Sequence, residues 1–252
     1  MLDIVSEKVL KKVKFAVNYF AMETIFYAVV VAGGSGTRMG GPTPKQFIEL
    51  DGVPILRLSI EKIRAAWPEA KIVTVLPKTG MDYWKEYCLT RFSHCPQMLV
   101  EGGITRFHSV RNALAKIPDG AIVAIHDAVR PLVSVGLLRR MAEKMASTRA
   151  LVPVVPVTDT LKLLESGADG ELVEAEGERP DRSRLFAAQT PQIFRSEDLR
   201  AAYAQAYDLK FTDDCSVVRS AGFPVSYIEG EKYNLKITTP DDLAVAEALM
   251  KL

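Results

Sequence analysis

Phe26-Tyr27-Ala28-Val29-Val30-Val31-Ala32 runs without a charge into Gly33-Gly34-Ser35-Gly36-Thr37-Arg38-Met39-Gly40, and this junction is the most informative stretch of the chain. A continuous apolar, β-branched run suits a central strand buried on both faces. A glycine turn directly after it lets backbone N–H groups approach a phosphate, and Arg38 adds fixed charge. Two familiar nucleotide templates fail. A dinucleotide fingerprint starting at Gly34 meets Met39 where its third glycine belongs, and Gly36 to Gly41 is followed by Pro42 where a Walker loop needs lysine. A lysine arrives later, in Pro44-Lys45-Gln46. Glycine turn, Arg38 and Lys45 together point to a nucleotide that is neither a dinucleotide nor P-loop ATP.

Outward from this junction, apolar runs and helical patterns alternate, the signature of an α/β fold with a mostly parallel sheet flanked by helices. Strands are expected at Lys71–Leu76, Ala121–Ile125 and Leu151–Pro156. Helices are expected at Ile55–Ala66, Met81–Leu89 and Arg106–Lys116, the last presenting Phe107, Val110 and Leu114 on one face. Thr239-Pro240-Asp241-Asp242 opens a final helix with an N-cap, a proline at the first helical position and early carboxylates. Glu165 to Arg184 is acidic and glycine-bearing, too polar for a core, and reads as part of a protruding arm at about 157–184. The parse is one domain over 22–252. Residues 1–21, with Val5, Val9, Val13 and Val17 interleaved by lysines, read as an extension outside it and not as a membrane anchor.

Lys plus Arg number 32 against 31 Asp plus Glu, so a net charge of +1 argues against a nucleic-acid partner and makes phosphate recognition local. Cys88, Cys95 and Cys215 are too few and too irregular for a disulfide framework or a closed zinc site, and read as buried reduced thiols.

The second polar constellation is His126-Asp127-Ala128-Val129-Arg130-Pro131, at the end of the third apolar strand. Ligands of open α/β sheets gather at the carboxyl ends of strands, where both this cluster and the glycine turn lie. One Asp beside triphosphate oxygens can hold Mg²⁺, with water and phosphate completing the shell. His126 reads as structural. Thr160, Arg182, Gln189-Thr190-Pro191-Gln192, Thr212-Asp213-Asp214 and Asn234-x-Lys236-Ile237-Thr238 are further polar candidates. Each has a plainer alternative: Thr212 as an N-cap, Arg182 as a solvated charge, Lys236 as a strand-end lysine.

In this order the motifs, together with Gly102-Gly103, Arg106 and Ser109, resemble the 2-C-methyl-D-erythritol 4-phosphate cytidylyltransferase family of the non-mevalonate isoprenoid pathway, from about Phe26 to the C-terminus. The resemblance implies a Rossmann-like, GT-A-like nucleotidyltransferase that transfers CMP from CTP to a sugar-alcohol phosphate and releases pyrophosphate. It further implies a cytoplasmic homodimer whose β-arm reaches the partner's site. By the same likeness Ala32, Gly33, Gly34 and Gly36 wrap the triphosphate, and Gly103, Arg106, Ser109 and Ala128 surround the cytidine. Asp127 carries Mg²⁺, and Arg38, Lys45 and Lys236 act on the α-phosphate. Thr160, Arg182, Thr190, Thr212 and Arg130 hold the acceptor. Two positions depart from the family's usual pattern: Ile104 and Thr105 follow Gly102-Gly103 where an acidic residue is common, and Gly33 stands where many members have alanine. The alternatives are a ribitol-5-phosphate cytidylyltransferase, which differs mainly in the acceptor pocket, and a nucleotide-binding protein without turnover.

Overall fold

The computed structural model describes residues 25–33, 43–167, 169–177 and 181–251. Gly34, Gly36, Arg38 and the extension at 1–21 lie outside the described residues.

β1 (Phe26–Val31) is followed by a single 3-10 turn at Lys45–Phe47 and a small hairpin of β2 (Glu49–Leu50) and β3 (Val53–Pro54). Then come α1 (Ile55–Ala66), β4 (Lys71–Leu76), α2 (Lys78–Arg91), β5 (Gln97–Glu101), α3 (Arg106–Leu114), β6 (Ile122–Asp127), α4 (Val135–Lys144) and β7 (Ala150–Pro156). The arm carries β8 (Leu164–Ser166) and β9 (Leu172–Glu174). After it follow β10 (Phe186–Ala188), β11 (Gln192–Arg195), α5 (Ser196–Tyr203), α6 (Asp214–Ser220), β12 (Ser226–Glu229) and α7 (Pro240–Met250). The main sheet has eight strands in the order β10-β7-β11-β6-β1-β4-β5, with β12 added beside β7. Its β6-β1-β4-β5 half is wholly parallel, whereas β11 runs antiparallel to both β6 and β7.

β1 shows why an uninterrupted apolar run was needed. Ala28 and Val30 enter one core with Leu56, Ile60 and Ile63 of α1, Trp84 of α2 and Leu137 and Met141 of α4. Tyr27 and Val29 enter the other, with Phe107, Val110 and Leu114 of α3, Leu199 of α5 and Val217 of α6. Alternate side chains of one strand thus anchor both helical layers.

Several boundaries differ from expectation, and α2 does so at both ends, reaching Arg91 instead of Leu89. α2 starts earlier than Met81, running through Gly80, because that position lies under the Phe47 ring: a Cβ there would sit 3.0 Å from Phe47 Cε2. α3 stops at Leu114 instead of Lys116, ahead of Pro118, whose ring disfavours helical backbone at Ile117. β6 extends through His126 and Asp127, which pair with Val30 and Val31 of β1. The parallel register therefore brings Asp127 level with the start of the glycine turn. The arm carries an isolated antiparallel pair of strands whose six residues are all exposed.

Candidate active site

The ends of β1, β5 and β6 frame a cleft of about 420 Å³. Ala32 and Gly33 line it from β1, Gly103, Arg106 and Ser109 from the β5–α3 connection, and Asp127 from β6. Lys45 and Lys236 close it from two loops. The connection after β5 is held by Gly102 N–H on the Leu76 carbonyl at 2.8 Å. Ser109 Oγ accepts from Gly103 N–H and donates to the Thr105 carbonyl, both at 3.0 Å. A side chain at position 103 is impossible without rearrangement, since its Cβ would lie 2.4 Å from His108 Cβ and 2.9 Å from the His108 carbonyl carbon.

Asp127 is the hub. Lys236 Nζ stands 2.9 Å from its Oδ2, Arg130 Nε 3.6 Å from the same oxygen, and Arg106 Nε 3.4 Å from Oδ1. Burial, the largest influence on this carboxyl, pushes its pKa up, but Arg106, Lys236 and Arg130 together outweigh it and hold the group well below the usual carboxylate range. Asp127 is thus ionised at any pH of interest.

Each cation is itself fixed. Arg106 donates a bidentate pair to Asp214, at 2.8 and 2.7 Å, and the Tyr203 hydroxyl donates to the same carboxylate, which is fully buried at the first turn of α6. Lys236 is delivered by Asn234, whose buried amide donates to the Thr190 carbonyl at 2.9 Å, and by Ile237, whose N–H donates to the Val129 carbonyl. Arg130 donates to the Asn234 carbonyl at 2.7 Å.

His126 explains why Asp127 stays in place. Its Nε2 lies 3.1 Å from the Arg130 carbonyl, which can only accept, so Nε2 carries the proton. Burial drives its pKa down to about 4, the ring is neutral, and Nδ1 is left to accept from the Thr190 hydroxyl at 3.2 Å. That hydroxyl in turn accepts the Asp127 N–H at 3.0 Å. The structural reading of His126 thereby gains a defined tautomer.

Several sequence-predicted residues lie outside the cleft wall. Ala128 is fully buried in the core, its N–H on the Val31 carbonyl and its carbonyl accepting from Ser59. Thr190 and Arg130 lie beneath Asp127, as just described. Thr160 is exposed, and so is Arg182, which donates to the Thr158 carbonyl at the root of the arm. Thr212 is not the N-cap of α6: Asp213 is, in a capping box with Ser216, because its short carboxylate meets the Ser216 N–H at 2.8 Å. Gln192 clamps this helix start, donating to Asp213 and accepting the Cys215 N–H, which joins the Thr-Pro-Gln and Thr-Asp-Asp motifs into one structural unit.

Two participants received no role from sequence. Asp214 stands among the polar candidates around Thr212, but nothing local names its partner, since Arg106 is 108 residues away. Gln46, beside Lys45, lines the cleft and was readable only as part of the motif around that lysine.

The site can neutralise anionic charge, and among the described residues lining the cleft the hydroxyls of Ser109 and Thr105 are both committed to hydrogen bonds within the β5–α3 connection. Among the described residues lining the cleft, Asp127 is the single carboxylate, and no cluster of three or more metal-ligating side chains occurs among the described residues. One ionised carboxylate beside room for phosphates fits Mg²⁺, which is usually held by one or two carboxylates with phosphate and water.

A mostly parallel sheet whose central strand runs in sequence into a glycine-rich stretch, with a cationic cleft at the strand ends, defines a Rossmann-like nucleotidyltransferase. The family model for 2-C-methyl-D-erythritol 4-phosphate cytidylyltransferase matches residues 26–252, and the chain belongs to that family. It is 44% identical over 230 residues to an enzyme of that name from Porphyromonas gingivalis, covering 91% of this chain and 99% of the relative. A Bacteroides thetaiotaomicron protein of the same name is 40% identical over 222 residues, 88% of this chain and 98% of the relative. Among solved structures, the Thermus thermophilus 2-C-methyl-D-erythritol 4-phosphate cytidylyltransferase superposes with a TM-score of 0.68 at 32% identity, covering 89% of this chain and 98% of that one.

Proposed function

We propose that this chain transfers CMP from CTP to 2-C-methyl-D-erythritol 4-phosphate, releasing pyrophosphate, as a step of non-mevalonate isoprenoid biosynthesis. The observation that carries this is the Asp127 hub, with Lys236, Arg106 and Arg130 converging at a strand end level with the glycine turn. The match to the family model over 26–252 identifies the base and the acceptor.

In this reading a phosphate oxygen of the acceptor attacks the α-phosphorus of CTP in line. The new P–O bond forms as the bond to the bridging oxygen of the β-phosphate breaks, and pyrophosphate leaves with that electron pair. Catalysis is positioning plus charge stabilisation. Lys45, Arg38 and Lys236 meet the charge growing on the α-phosphate, while Ala32, Gly33, Gly34 and Gly36 surround the triphosphate. Gly103 and Arg106 border the cytidine, and Ser109 and Ala128 act by holding the backbone there. Arg130 and Thr190 support the acceptor side from below, and Thr160, Thr212 and Arg182 complete it. Mg²⁺ held by Asp127 supplies further charge neutralisation when bound.

The reading includes a homodimer. The arm exposes Leu161, Leu163, Leu164, Leu172 and Val173, an apolar surface that a second copy would cover, and one protomer's Arg182 then serves its partner's cleft. It also includes a cytoplasmic location, in keeping with three free cysteines; no helix among the described residues is long and apolar enough to cross a membrane.

Pyrophosphate release with CTP and Mg²⁺ is to be measured for methylerythritol phosphate and for ribitol 5-phosphate. Faster turnover of the first is expected; preference for the second overturns the acceptor assignment.

A further inference from the structure

Five buried side-chain polar atoms lack a hydrogen-bond partner among the described residues: Nε2 and Oε1 of Gln46, Nε of Arg130, Oδ1 of Asn234 and Nε1 of Trp67. The first four belong to residues that line the cleft or build its floor. Gln46 stands apart because both ends of its amide are unmet while the residue is 1% exposed. Buried polar groups are normally paired, and one left unpaired costs free energy unless function repays it.

The local structure keeps this amide where it is. Gln46 is the middle residue of the 3-10 turn, and the next residue, Phe47, is pinned between the Tyr83 and Trp84 rings, at centroid distances of 4.7 and 5.9 Å, over the bare Cα of Gly80. The preceding residue, Lys45, lines the same cleft wall. The turn is thus anchored on its core side and presents two neighbouring polar side chains on its cleft side.

From this geometry we infer that Gln46 is a CTP-contacting residue, its amide left unpaired by the fold and paired by the nucleotide. The amide offers two donors and one acceptor, whereas a triphosphate only accepts. Nε2 therefore donates to a phosphate oxygen next to Lys45, and Oε1 takes a hydroxyl of either substrate. This deepens the cytidylyltransferase reading and rests on it.

The test is Gln46→Met, an apolar side chain of similar length. An amide unpaired in the free protein and paired by CTP requires two results together. The ligand-free variant melts at or above the wild-type temperature, since an unsatisfied polar group has been removed. Its dissociation constant for CTP, by calorimetry well below melting, rises about tenfold or more, as expected for a lost hydrogen bond to a charged group. Unchanged CTP affinity overturns the inference. So does a lowered ligand-free melting temperature, which would show the amide already paired in the free protein. Wild-type protein that binds no CTP would instead remove the cytidylyltransferase reading itself.

Discussion

The floor around Asp127 and the β8–β9 arm are opposites. At the floor, Arg106, Thr190 and Lys236, far apart in sequence, converge with the neighbouring Arg130 on one buried aspartate. In the arm, two three-residue strands pair only with each other, and their leucines meet no core. The floor's ion pairs all form within one chain, whereas the arm leaves Leu161, Leu163, Leu164, Leu172 and Val173 exposed. Substitutions at the floor should therefore cost stability and chemistry together, whereas those in the arm should spare the protomer's stability and cost assembly, with whatever activity depends on it.

Asp127→Ala breaks the comparison hardest. It leaves Arg106, Lys236 and Arg130 without their shared counterion, and loss of about 3–5 kcal/mol is expected by urea unfolding, as for other broken buried ion pairs. Next is pH. His126 has its pKa depressed from 6.5 to about 4, so the unfolded chain takes up its proton more readily than the native one. Its contribution is whole above about pH 6.5 and is lost as pH falls toward 4, on the order of 3 kcal/mol in all. His126→Gln should flatten the urea midpoint against pH across that window; an unchanged slope would move the acid sensitivity elsewhere.

Gly80→Ala is milder. It presses a methyl carbon to within 3.0 and 3.1 Å of the Phe47 ring, and overpacking of this kind costs about 1–3 kcal/mol. Because the same turn carries Lys45, turnover should fall along with thermal stability. Smallest in stability is Leu172→Asp, at a position 70% exposed. The protomer's own stability should change by no more than about 0.5 kcal/mol, while sedimentation shows dimer giving way to monomer. A monomeric wild type would sharpen the comparison differently, by leaving the arm's leucines for another partner.

What could be read from sequence follows the range of the interactions. Ile55–Ala66 and Lys71–Leu76 match their expected limits because periodicity is local. The Thr239 cap with Pro240 is equally local and is present as a capping box. Asp127 was legible as a carboxylate at a strand end. Its Arg106 partner, 21 residues off, and the Asp214 that orients Arg106 from 108 residues away were not, because side-chain pairing across a sheet leaves no periodic trace. Gly80 looks like a helix breaker until Phe47 is placed over it. Thr212 and Asp213 are both plausible caps by residue type, and only backbone geometry chooses the second.

The central claim is that Lys236, drawn to Asp127 at 2.9 Å, serves the transition state more than it serves nucleotide binding. The direct measurement is Lys236→Ala, comparing kcat with the dissociation constant for CTP. A fall in kcat of about a hundredfold or more, with CTP binding changed only a few-fold, is expected for a charged group acting on developing charge. Equal losses in both quantities would contradict the account and reduce Lys236 to a binding residue.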